Sequence, residues 1–86
     1  SNDPFIIDSL GWAFFKLKRY KKAKNYLQTA VELMPYDPVV NDHFGDALWK
    51  NGNPIQARYY WKYVLGLEDA EEKLKVKIKQ KLISGL

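Results

Sequence analysis

SLGWAFFKLKRYKKA, from Ser9 to Ala23, and HFGDALWKNGNPIQA, from His43 to Ala57, each set a glycine inside a helical pattern, at Gly11 and Gly45. A mid-helix glycine costs about 1 kcal/mol relative to alanine. The same cost recurs at a fixed interval, which points to a repeat. Shifting residues 3–35 by 34 onto 37–69 gives nine identities in 33 pairs: Asp3/Asp37, Pro4/Pro38, Asp8/Asp42, Gly11/Gly45, Ala13/Ala47, Lys16/Lys50, Ala23/Ala57, Tyr26/Tyr60 and Leu33/Leu67. Ile6/Val40, Leu10/Phe44, Phe14/Leu48 and Phe15/Trp49 are conservative pairs.

Each unit reads as two helices. Asp-Pro opens both units, an N-cap followed by a residue suited to the first helical position. The first unit spans 4–35, with helices over about Pro4–Leu17 and Tyr20–Met34. The second spans 38–67, with helices over about Pro38–Asn51 and Pro54–Gly66. Phe5, Ile6, Ile7, Leu10, Phe14 and Leu17 follow a 3.6-residue period, as do Ala23, Leu27, Ala30, Val31 and Met34. Paired helices joined by short turns must pack closely. Gly11 and Gly45 are expected where the first helix of each unit crosses the second, with Ala23 and Ala57 as small partners and large residues interlocking around them. Gly11→Leu would overpack that crossing by roughly 1–3 kcal/mol.

This register resembles the tetratricopeptide repeat. The residues that carry the resemblance are Leu10, Gly11, Phe14, Ala23, Leu27, Ala30 and Pro35 in the first unit. In the second they are Phe44, Gly45, Leu48, Ala57, Trp61 and Val64. Asp69 replaces the usual proline, and Ile7 and Asn41 replace the usual early aromatic. DSLGWAFF and NDHFGDALW are also similar to the C-terminal repeats of bacterial members. The resemblance implies an all-α solenoid of two units forming one domain over 1–86. Residues 69–84 are expected to form a terminal helix covering the last apolar face. Asp69 with Glu72 would cap it, Leu74, Ile78 and Leu82 would face inward, and Glu71–Lys75 would pair on the outside.

The chain has 86 residues, no cysteine, one histidine and a net charge of +4. Disulfide and zinc staples are therefore not expected, and no cofactor is called for. No apolar run is long enough to span a bilayer. Ser1-Asn2 reads as a cloning remnant, so the chain reads as a piece of a longer protein. No catalytic constellation stands out. His43 is alone and reads as an ordinary helix residue, while Asp42 and Asp46 share a helix face without evidence of a cleft. An enzyme is not expected.

The resemblance implies instead a concave face of first helices that holds a peptide or partner helix. Carried onto this chain, that face consists of Phe5, Asp8, Trp12, Phe15 and Lys16, then Val39, Asp42, Asp46, Trp49 and Lys50. Trp12 lies off the face that meets the second helix, so it must pack on the neighbouring unit or await a partner. Some family members clamp acidic tails with lysine, asparagine and arginine. Here Asp8, Asp42 and Asp46 stand in their place, and an apolar or basic segment is the expected partner. The aspartates could also pair with Lys16 and Lys50 between units. Two other readings remain open. Lys16, Lys18, Arg19, Lys21, Lys22 and Lys24, with Lys73, Lys75, Lys77, Lys79 and Lys81 and nearby tyrosines, could meet nucleic acid or an anionic surface. The chain could also be a structural end of a longer array. Phe5, Ile6 and Trp12 are strongly apolar for an end face, so self-association there is expected at high concentration.

Overall fold

The computed structural model describes residues 2–86; Ser1 lies outside the described residues. Five helices follow one another: α1 (Pro4–Lys16), α2 (Tyr20–Leu33), α3 (Pro38–Lys50), α4 (Pro54–Leu65) and α5 (Glu72–Ser84). Among the described residues there is no strand, so the lysine-alternating stretch 75–81 is helical. The helices pack as consecutive neighbours, α1 on α2, α2 on α3, α3 on α4 and α4 on α5, and α1 also touches α3. This is an α-α solenoid.

The Asp-Pro starts work as capping predicts. Asp3 accepts a hydrogen bond from the Phe5 amide (2.9 Å) and Asp37 from the Val40 amide (3.0 Å). Each satisfies one of the amides that a helix start leaves unpaired. Both proline rings occupy the first turn. α5 starts differently from the sequence expectation. It begins at Glu72 rather than 69, Glu71 is its N-cap, and no side chain caps it. Residues 67–70 form turns before it, and these bury Ala70. Lys75 pairs weakly with Glu72 (4.0 Å).

The two glycines sit at helix crossings, and their nearest neighbours are large side chains, with the Ala57 carbonyl also beside Gly45. A β-carbon on Gly11 would lie 2.7 Å from Leu27 Cγ, and one on Gly45 would lie 2.5 Å from Trp61 Nε1. Each glycine makes room for the large residue one turn beyond the alanine. Ala23, Leu27, Ala30, Ala57, Trp61 and Val64 are wholly buried, with Phe44 and Leu48 nearly so. Phe14 is half-buried and stacks on Tyr26. Leu10 departs from its expected packing role and is exposed, because nothing overlies α1 where α2 overlies its counterpart Phe44.

Asparagines tie the units together. Asn41 donates to the carbonyls of Pro35 (3.1 Å) and Asp37 (2.8 Å), fixing the linker between units. Asn51 donates to Tyr20 O (2.8 Å) and Ala47 O (2.7 Å), bridging α3 to the start of α2. At the turns within the units, Lys18 (φ 62°) and Gly52 (φ 80°) hold equivalent left-handed positions.

Candidate functional site

On one side of the molecule α1 and α3 lie together, with α5 continuing the row through its Lys81 side chain. This side carries the residues that sequence register assigns to a binding face. They divide into three groups. Phe5, Lys16, Val39 and Lys50 are exposed; Trp12, Phe15 and Trp49 are half-buried; Asp8, Asp42 and Asp46 are buried.

The buried acids find their partners within the chain. His43 Nδ1 lies 3.0 and 3.2 Å from the two carboxylate oxygens of Asp8. An ionised carboxylate only accepts, so the hydrogen sits on Nδ1. Lys81 Nζ donates to Asp42 Oδ1 (2.8 Å) and to both oxygens of Asp46 (2.9 and 3.2 Å). Trp61 Nε1–H donates to Asp46 Oδ1 (3.1 Å). Among the described residues no buried side-chain nitrogen or oxygen lacks a partner. The pattern is a ladder: an acid on one first helix meets a base on the next helix of the row. This corrects one expectation. The aspartates do not pair with Lys16 or Lys50; Lys50 lies over the Tyr20 ring (5.8 Å). Their bases are His43 and Lys81 instead.

One ammonium cannot neutralise two carboxylates. Burial first, and then the Asp42 charge, push the Asp46 carboxyl up from 3.8 to about 6, against the opposing pull of Lys81 and Trp61. For Lys81, burial alone would lower the pKa. The Asp46 and Asp42 carboxylates outweigh it and hold the ammonium above its ordinary value. The cluster therefore keeps Lys81 charged and leaves Asp46 the member that gives up its charge most easily.

The aromatic residues have specific settings. The Trp12 ring lies nearly parallel to Phe15 (centroids 4.6 Å, 6°) and to His43 (4.0 Å, 10°). It thus forms part of the contact between α1 and α3. Phe15 meets Tyr20 edge-on at 5.3 Å. Trp49 packs between Trp61 (5.6 Å) and the Arg58 guanidinium (5.1 Å), with Gly85 against its edge. Sequence reasoning missed His43 and Lys81. His43 is 35 residues beyond Asp8, and Lys81 is 39 beyond Asp42, one helical turn past the same interval. That interval was the available signal.

A cleft of about 420 Å³ lies elsewhere, between α2 and α4, floored by Val31, Phe44 and Leu48 and walled by Lys24, Gln56 and Tyr60. It is separate from the α1–α3 face. Among the described residues no cluster could hold a metal ion, and no helix is long and apolar enough to cross a membrane.

Residues 4–37 match the family described as Tetratricopeptide repeat. No curated protein and no solved structure gives a significant match to the chain. Repeats of this family generally mediate protein–protein interaction and are typically not enzymes. Residues 4–37 thus match a tetratricopeptide repeat directly, and the second unit repeats their register with the helices packed as consecutive pairs.

Proposed function

We propose that the chain binds an apolar peptide or partner helix on the face of α1 and α3, with Trp12 as the anchor. The observation that supports this is the division of the face. Its acids are buried and compensated, while its open part is apolar, Phe5 and Val39, and is flanked by Lys16 and Lys50. Half-buried Trp12 lies between these groups in a fixed stack. A rigid aromatic at the centre with a charged rim is the usual composition of a binding hot spot. The exposed charges here are cationic, so acidic residues at the partner's edges are favoured over basic ones.

The test is a peptide-array screen at two salt concentrations with the wild type, Trp12→Ala and Phe5→Ser. Binding should survive moderate salt and weaken roughly 30-fold in Trp12→Ala, corresponding to about 2 kcal/mol. Phe5→Ser controls for packing damage, because Phe5 is exposed; it should weaken binding without lowering stability. Binding that ignores both residues and collapses with salt would move the function to the lysine-rich helices. No binding at all would leave the domain a structural element of a longer array.

A further inference from the structure

The second unit shows what the first unit lacks. On α3, Val40, Phe44 and Ala47 are 1%, 5% and 0% exposed, where α2 packs on α3. Their counterparts on α1 are Ile6, Leu10 and Ala13. Ile6 and Leu10 are 48% and 46% exposed and Leu17, next along the row, is 66% exposed; Ala13 is exposed as well. The counterpart of Leu17 is Asn51, which bonds to α2 through Tyr20 O, so the whole row corresponds to a surface that covers a helix. Ile6, Leu10, Ala13 and Leu17 are spaced 4, 3 and 4 residues apart, the spacing of a seam between two helices.

We propose that this row is covered by the same row of a second copy, with the two α1 helices antiparallel about a twofold axis between Leu10 and Ala13. The row is complementary to itself in that arrangement. Leu10 falls opposite the partner's Ala13, large against small, and Ile6 falls opposite the partner's Leu17. A twofold pairing presents the same patch on both copies, as an isologous interface requires. Charge favours the same orientation. Lys16, Lys18 and Arg19 crowd one end of α1, and the acidic N-cap Asp3 stands at the other. Antiparallel pairing sets each basic end beside the partner's acidic end, and it also opposes the helix dipoles. One short helix per copy falls below the roughly 800 Å² per partner of a standard interface, so the dimer exchanges with monomer across the micromolar to millimolar range. It leaves the Trp12 stack outside the seam, so it is independent of the proposed partner site.

Sedimentation equilibrium from 10 µM to 1 mM, at about those limits, tests the pairing. The wild type should approach a dimer at the upper end. Leu10→Lys should remain monomeric with unchanged circular dichroism, and Ile55→Lys, on exposed α4 surface, should dimerise like the wild type. The chain has no cysteine, so register can be read by oxidation: a mixture of Leu10→Cys and Ala13→Cys chains should cross-link faster than either chain alone. A wild type that is monomeric throughout overturns the proposal. A dimer that persists in Leu10→Lys, or cross-linking without preference for the mixture, overturns it by placing the interface elsewhere.

Discussion

At Gly11 and Gly45 the same residue type answers the same need with different tolerance. An added methyl at Gly11 meets mainly the Leu27 side chain, which can change rotamer, although the Leu27 amide at 3.2 Å limits the relief. At Gly45 it meets the flat Trp61 indole and the Ala57 carbonyl. The indole is held by Asp46 and cannot withdraw. Gly45→Ala should therefore destabilise by about 2–3 kcal/mol and Gly11→Ala by about 1, despite alanine's better helix propensity. Urea unfolding of the two variants measures the difference; equal losses would contradict the rigidity argument. Asp46 itself gives a pH signature. Folded Asp46 keeps its proton up to about pH 6, whereas its ordinary value is 3.8. Between those values the folded chain binds more protons, so its stability falls as pH rises through that window. The size is about 1–3 kcal/mol, the pull of Lys81 being already contained in the shifted value. Lys81 adds its own dependence only in the alkaline range, where its contribution is lost as the ammonium deprotonates. Asp46→Asn can still accept from Trp61 and should flatten the slope between pH 4 and 6, which a pH series of urea midpoints would show.

At the level of elements, α5 is held by apolar contacts and one buried charge. Ile78 is fully buried, and Leu74 and Leu82 pack against the core, while Lys81 carries the polar link to α3. Removing one partner of a buried pair leaves the other uncompensated, which costs about 3 kcal/mol. Lys81→Met should therefore loosen α5 by about that amount at pH 8 and by less at pH 5, where Asp46 takes up a proton. Hydrogen exchange of the α5 amides would report it. Adding Asp42→Asn and Asp46→Asn should restore much of the loss, since no buried carboxylate then remains against α5. The helices, the Asp3 and Asp37 caps and the glycine crossings were legible in the sequence, because each is set within one unit and recurs in the next; the cap of α5 was not. The bases that meet the acids were not. Periodicity assigns Asp42 and Asp46 to a face, but the residue opposite that face depends on the angle between successive units. A lysine on α5 reads from sequence as a solvated charge; only the packing of α5 against α4 brings Lys81 inward.

For the molecule as a whole, size decides how the binding face looks. The radius of gyration is 11.8 Å, close to the about 12 Å of any compact chain of this length. Two units and a terminal helix form a block of 32 × 26 × 18 Å. The face of α1 and α3 is thus a facet bordered by α5, and a partner at the proposed site would lie across it. The family resemblance supplied the helices that form this facet. Which of its side chains stay open was set by the ladder of internal pairs, which the resemblance did not contain. The three tryptophans also lie at separate seams. Trp12 stacks on an imidazole between α1 and α3, Trp61 donates to an acid shared with α5, and Trp49 carries the edge of the chain end at Gly85. A stacked imidazole and a bonded carboxyl both alter indole emission, so the domain contains its own dyes. Single-tryptophan versions would show optically, without any label, which seam opens first when the protein is heated, acidified or bound.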